Sequence, residues 1–338
     1  MMERRELLQL GAAAMAASVL AKPALADTPG VPAGWKNHLD AYSRTLHWLR
    51  TPAEVANACH QIGNTTIDLT VRAFPGHVQP EKVKTDLPLF VNGLKREGIA
   101  VTKIAMDIVD ASTPYTEDML ATASSLGIRF TWWRGVPFDW TKPYPQMIDA
   151  VKPRVAALSK LLEKYNVKAC WHPFGGFTEI LDLCRNFDPR FIAIDYDTGN
   201  FGQFNQGMLA DQIRIAGPYV GSFVFKDHVM VKQTAEEQAA AAAAAARGGR
   251  GGGRGASPTG WTSPSVPIGT GVVDVAMVCK TLKEIGFQGP IECQPEWPAL
   301  DGAGQGADKL TIPPDQVIAM LRRDYQTVAG PLAAAGVI

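Results

Sequence analysis

Eight apolar runs of strand length, each followed by a stretch with helical spacing, recur along the chain from residue 38 onward. The runs fall near 38–43, 66–72, 101–108, 129–133, 168–171, 191–195, 220–225 and 290–294. Helices are expected to start near Pro52, Pro80, Thr116, Tyr144, Phe177, Gly207, Asp274 and Pro313, several with proline or an acidic residue in the first turn. Strand and helix in strict alternation call for a parallel sheet covered on both faces, and eight such units close most naturally into a single-domain (β/α)8 TIM barrel. An open doubly wound sheet is the competing fold, but no glycine-rich fingerprint follows the first strands.

Two segments stand outside this rhythm. Residues 1–26 carry Arg4-Arg5, an alanine-rich apolar stretch and a small-x-small ending at Ala24-Leu25-Ala26, which reads as a cleaved export signal of the twin-arginine type. The mature protein is therefore expected in the periplasm and off the membrane once the signal is removed, with an uncleaved anchor as the alternative. Residues 233–256, with a run of alanines and then Arg-Gly repeats, form a low-complexity insertion after the seventh strand, expected to be flexible or partly helical. A formal net charge of zero gives no basic face for nucleic acid, so none is expected as a partner. Five cysteines without metal-type spacing read as buried thiols rather than a disulfide framework.

In a barrel the working residues gather at the C-terminal ends of the strands. There the sequence places Arg72 and His77 after strand two, Asp107 at strand three, Trp133-Arg134 at strand four and Trp171-His172 at strand five. Asp197 and Asn200 follow strand six, Lys226 follows strand seven, and Gln294 and Glu296 follow strand eight. His172, Asp197 and Glu296 are donor types suited to one divalent cation, which would polarise a carbonyl oxygen and loosen the neighbouring carbon-bound proton. Glu296 or His77 would then be the base, Lys226 and Arg72 the cations that steady the enolate, and Trp133 and Trp171 the apolar face for a sugar ring. Arg134, Asp107, Asn200 and Gln294 complete a candidate substrate site. Each also has a plain structural reading, as a loop residue, a helix cap or core.

The chain resembles the xylose-isomerase-like TIM barrels, a group of sugar phosphate isomerases and epimerases. The resemblance rests on the order and spacing of Thr66-Ile-Asp-Leu-Thr-Val-Arg72, Gly76-His-Val-Gln-Pro-Glu81, Asp86-Leu-Pro88, Asp188-Pro189, Tyr196-Asp-Thr-Gly-Asn200, Phe225-Lys-Asp227, Val266-Pro-Ile-Gly-Thr-Gly-Val-Val-Asp274 and Gly289-Pro-Ile291 leading to Glu296. It implies a small carbohydrate substrate and one Mn, Co, Mg or Zn ion, with room for a homo-oligomer. Of the family's four metal positions, Asp197 and Glu296 match. The strand-seven histidine is replaced by Val224, the strand-five acidic position falls near Cys170, and His172 matches a histidine of one subgroup. That subgroup resembles enzymes that cleave 3-keto-glycosides by elimination across carbons one and two, a second expectation beside isomerisation. A sugar-binding barrel without catalysis is a third.

Overall fold

The computed structural model describes residues 30–338 except 174–175, 203–207 and 247–259. The expected export signal thus lies outside the described residues, as does the Arg-Gly stretch. Eight parallel strands form a closed barrel: β1 Leu39–Tyr42, β2 Thr66–Val71, β3 Ala100–Met106, β4 Phe130–Trp133, β5 Lys168–Trp171, β6 Ile192–Asp197, β7 Val220–Phe225 and β8 Ile291–Cys293. The first and last strands close the ring, with Leu39 opposite Ile291 and Asp40 opposite Glu292.

Eight helices pack outside: α1 Pro52–Ile62, α2 Val83–Arg96, α3 Thr116–Ser125, α4 Tyr144–Tyr165, α5 Phe177–Cys184, α6 Leu209–Ala216, α7 Val275–Glu284 and α8 Pro314–Ala335. The start of α1 shows why the boundaries are readable. Thr51 and Glu54 cap each other's backbone N–H groups, Pro52 supplies the preset first turn, and Gly63 ends the helix at φ 111°. Two boundaries differ from expectation. Pro80 opens a single 3-10 turn before α2 begins at Val83, and the start expected near Gly207 lies outside the described residues, α6 being found from Leu209.

The insertion after β7 leaves the barrel between two short antiparallel pairs, Asp227–His228 with Ser265–Val266 and Val231–Lys232 with Trp261–Thr262. Residues Ala235–Ala246 within it are helical, as alanine's helix preference dictates.

Side chains alternate across each strand. One face, with Ile67, Leu69, Val71, Ile104, Met106, Trp133 and Trp171, joins the main core beneath the helices. The other fills the barrel in layers. At the bottom Phe130, Cys170 and Ala193 meet Val31 and Trp35. Polar residues occupy the middle and the mouth. All five cysteines are free and buried. No described helix is long and apolar enough to cross a membrane.

Candidate active site

The middle layer is a closed ionic cluster. Lys103 Nζ of β3 lies 3.2 Å from Asp68 Oδ2, 3.3 Å from Asp195 Oδ1 and 2.9 Å from Glu292 Oε1, and all four side chains are fully buried. Burial works against the Lys103 ammonium, but Asp195, Glu292 and Asp68 outweigh it and hold its pKa well above the ordinary lysine value. The carboxyls then divide. Burial drives Glu292 and Asp68 upward, towards the protonated form, whereas Lys103 and His172 overcome burial at Asp195 and keep it ionised. Ser222 also donates to Asp195, and Gln294 Nε2 donates to Glu292 Oε1 at 2.6 Å.

Asp195 links this layer to the mouth. Its Oδ2 is 2.8 Å from His172 Nδ1, while Asn200 Nδ2 faces the other ring nitrogen, Nε2, at 3.2 Å. With the Asn200 amide nitrogen as donor, the matching tautomer carries its ring proton on Nδ1 toward Asp195 and accepts at Nε2. His172 Nε2 also lies 3.5 Å from Asp197 Oδ2.

The short helix Thr198–Gly202 follows β6 directly, and Asp197 Oδ1 accepts from its backbone N–H groups at Gly199 (2.8 Å) and Asn200 (2.9 Å). Asp197 Oδ2 is 3.0 Å from Lys226 Nζ, which is also 3.4 Å from Glu296 Oε2. Arg44 NH1 contacts the other oxygen of Glu296 at 3.1 Å. Burial lowers the pKa of Lys226, yet Asp197 and Glu296 more than compensate, and it remains an ammonium.

Across the mouth stands Arg72, whose NH2 donates to the Tyr42 hydroxyl at 3.1 Å and whose Nε donates to the Pro75 carbonyl at 2.9 Å. Asp107 lies 3.8 Å from Arg72 NH1. Trp132 lies between this group and the histidine, its ring 5.1 Å from His172 and 5.8 Å from the Arg72 guanidinium. The structure thus brings together Arg72, Asp107, His172, Asp197, Asn200, Lys226 and Glu296. Gln294 is buried below them, engaged with Glu292, and Arg134 is exposed at the end of β4.

Three expected residues lie elsewhere. Trp133 and Trp171 do not face the mouth: they point outward into the helical layer, their rings 4.7 Å apart, with Trp133 Nε1 donating to the Val109 carbonyl at 3.0 Å. The reason is strand parity, because Trp171 precedes the inward-facing His172 and must point the other way. Trp132 takes the place intended for Trp133. His77 packs beside Thr70 of β2, ring to ring with His47 (5.6 Å) and Phe90 of α2 (5.4 Å), its Nδ1 3.1 Å from Thr70 Oγ1. Burial there pulls its pKa down to about 3, which makes it a weak base.

The metal set expected from His172, Asp197 and Glu296 is also not the arrangement found. Among the described residues no group of three or more His, Cys, Asp or Glu side chains is placed to hold a metal ion. Both Asp197 oxygens and both Glu296 oxygens already face a cation or a backbone N–H group. The donors present therefore do not fit a divalent cation without displacement of Lys226.

Sequence reasoning missed Asp68, Lys103, Asp195, Glu292, Trp132 and Arg44. The signal was present in the two-residue period: Asp68 shares a face with Arg72, Asp195 with Asp197, and Glu292 with Gln294 and Glu296. Asp227, by contrast, shapes the loop after β7, where its carboxylate accepts from the backbone of Gly269, Gly271 and Val273.

A parallel eight-stranded barrel whose C-terminal mouth collects a carboxylate-held histidine, three acids and three cations defines a TIM barrel with a small polar site. The chain belongs to the xylose isomerase-like TIM barrel family, whose model matches residues 56–312. Its fold is similar to that of the IOLI protein solved with a zinc atom, at 13% identity and TM-score 0.61, covering 88% of this chain and 98% of the other. It is also similar to L-ribulose 3-epimerase (12%, TM-score 0.57, 89% and 96%) and to a Mycobacterium smegmatis xylose isomerase-like barrel in complex with magnesium (16%, TM-score 0.56, 88% and 98%). No curated protein matches the chain.

Proposed function

We propose that this protein removes the proton next to the carbonyl group of a small sugar, leading to isomerisation or epimerisation. The observation that carries the reading is His172, held at Nδ1 by Asp195 and presenting Nε2 as an acceptor at the barrel mouth. An imidazole oriented in this way is suited to take a carbon-bound proton. The electron pair left behind moves to the carbonyl oxygen, where a negative charge needs a fixed positive partner. Lys226 and Arg72 are the cations of this chain nearest that role, and Trp132 offers the apolar surface for the ring. Return of the proton to the former carbonyl carbon, with the proton of the adjacent hydroxyl passing to the former carbonyl oxygen, gives the isomer, and protonation of the original carbon from the opposite face gives the epimer. The family and the epimerase structures it resembles support a carbohydrate substrate. The export-type segment of the sequence favours sugars without phosphate.

Incubation with a panel of ketoses and 3-keto-glycosides in deuterated water, followed by NMR, tests the reading. Deuterium at the carbon beside the carbonyl of an intact sugar is the expected result. Release of the aglycone with a 2-hydroxy-3-keto-glycal would instead place the same first step in an elimination. No exchange on any member of the panel would contradict proton abstraction and favour a sugar-binding barrel.

A further inference from the structure

We infer that Lys226 is a built-in cation standing where a metal ion would otherwise be held, so that the site works without one and becomes a metal site when the ammonium is removed. Asp197 and Glu296 are the two mouth carboxylates that flank Lys226, whose Nζ lies between them, 3.0 Å from Asp197 Oδ2 and 3.4 Å from Glu296 Oε2. The same Asp197 oxygen is 3.5 Å from His172 Nε2, the nitrogen that acts as acceptor. Imidazole and carboxylate thus converge around one positive centre, and that centre is supplied by the chain itself.

The charge count agrees. Asp197 and Glu296 are balanced by Lys226 and by Arg44, whose NH1 lies 3.1 Å from Glu296 Oε1, and Asp107 by Arg72 at 3.8 Å. A further doubly positive ion would add charge that nothing at the mouth offsets, in a space where such an imbalance is costly.

The local chain is built to admit this lysine. The Thr198 hydroxyl donates to the Lys226 carbonyl at 2.7 Å and lies 2.9 Å from its amide nitrogen, fixing the residue against the turn after β6. Gly199 stands beside the lysine stem, where any added Cβ would come within 2.7 Å of Lys226 Cβ. The glycine is the only residue that leaves room for the lysine to reach the carboxylates.

The inference deepens the proposed function by naming what steadies the enolate, but its test reads the donors alone. Cobalt(II) is titrated into the full chain, with metal content after dialysis and the visible absorption of bound cobalt as readouts. The wild type is expected to retain no stoichiometric cobalt. Lys226→Met, which keeps the stem and removes the charge, is expected to bind one equivalent at least about 100-fold more tightly than the wild type. Lys226→Arg, which keeps the charge, should stay empty, and circular dichroism confirms that each variant is folded. Stoichiometric binding by the wild type would overturn the inference, as would a folded Lys226→Met that binds no cobalt. A chain that exchanges deuterium with no sugar yet gains cobalt on loss of Lys226 would sink the proposed reaction and leave this inference standing.

Discussion

A lysine facing three carboxylates in a space closed to solvent cannot hold all four groups charged at little cost. Asp195 keeps its charge because Lys103 and His172 both face it, and the surplus proton falls to the Asp68 and Glu292 pair, which share a hydrogen bond. Lys103→Met leaves the acids without their counterion and should lower unfolding stability by about 3–5 kcal/mol in denaturant titration. Asp40, at the closing seam beside Glu292, gives a pH signature. Burial raises its pKa from the ordinary 3.8 to about 7, so between those values the folded chain keeps a proton that the unfolded chain has released. Its contribution is full below pH 3.8 and is lost as pH rises through about 7. Asp40→Asn should therefore raise the melting temperature relative to wild type at pH 8, and much less at pH 4.

At the level of elements, the strands were legible because a parallel barrel needs continuous apolar runs, and β5 and β7 lie where those runs end. Helix starts were legible from proline and from acidic residues in the first turn, as at Pro52 and Thr116. The site was legible only at its rim. Apolar runs reveal a strand but not which of its faces is inside, and the two-residue period had to be anchored on one known inward residue to separate Trp132 from Trp133. The position of His77 could not be read at all, since it depends on α2 and His47 folding against β2. The turn after β6 is the element on which the mouth depends. Gly199→Ala drives a methyl into the Lys226 stem and should cost roughly 1–3 kcal/mol of stability, with a fall in sugar turnover larger than that of an alanine substitution on the outer face of α6.

For the whole molecule, the barrel is a stack of three layers whose polarity rises from the Phe130 plug through the Lys103 cluster to the open mouth. The middle layer carries the alignment of the upper one, because Asp195 belongs to both: it answers Lys103 on one oxygen and His172 on the other. The central claim is that this histidine, so oriented, moves the proton. It is tested most directly by the initial rate of deuterium incorporation into the best sugar of the panel, compared between wild type, His172→Gln and Asp195→Asn, with folding checked by circular dichroism. The account predicts that His172→Gln loses at least about 100-fold of the exchange rate, and that Asp195→Asn loses a large part of it with a shifted pH profile. Exchange at the wild-type rate in a folded His172→Gln variant would contradict it.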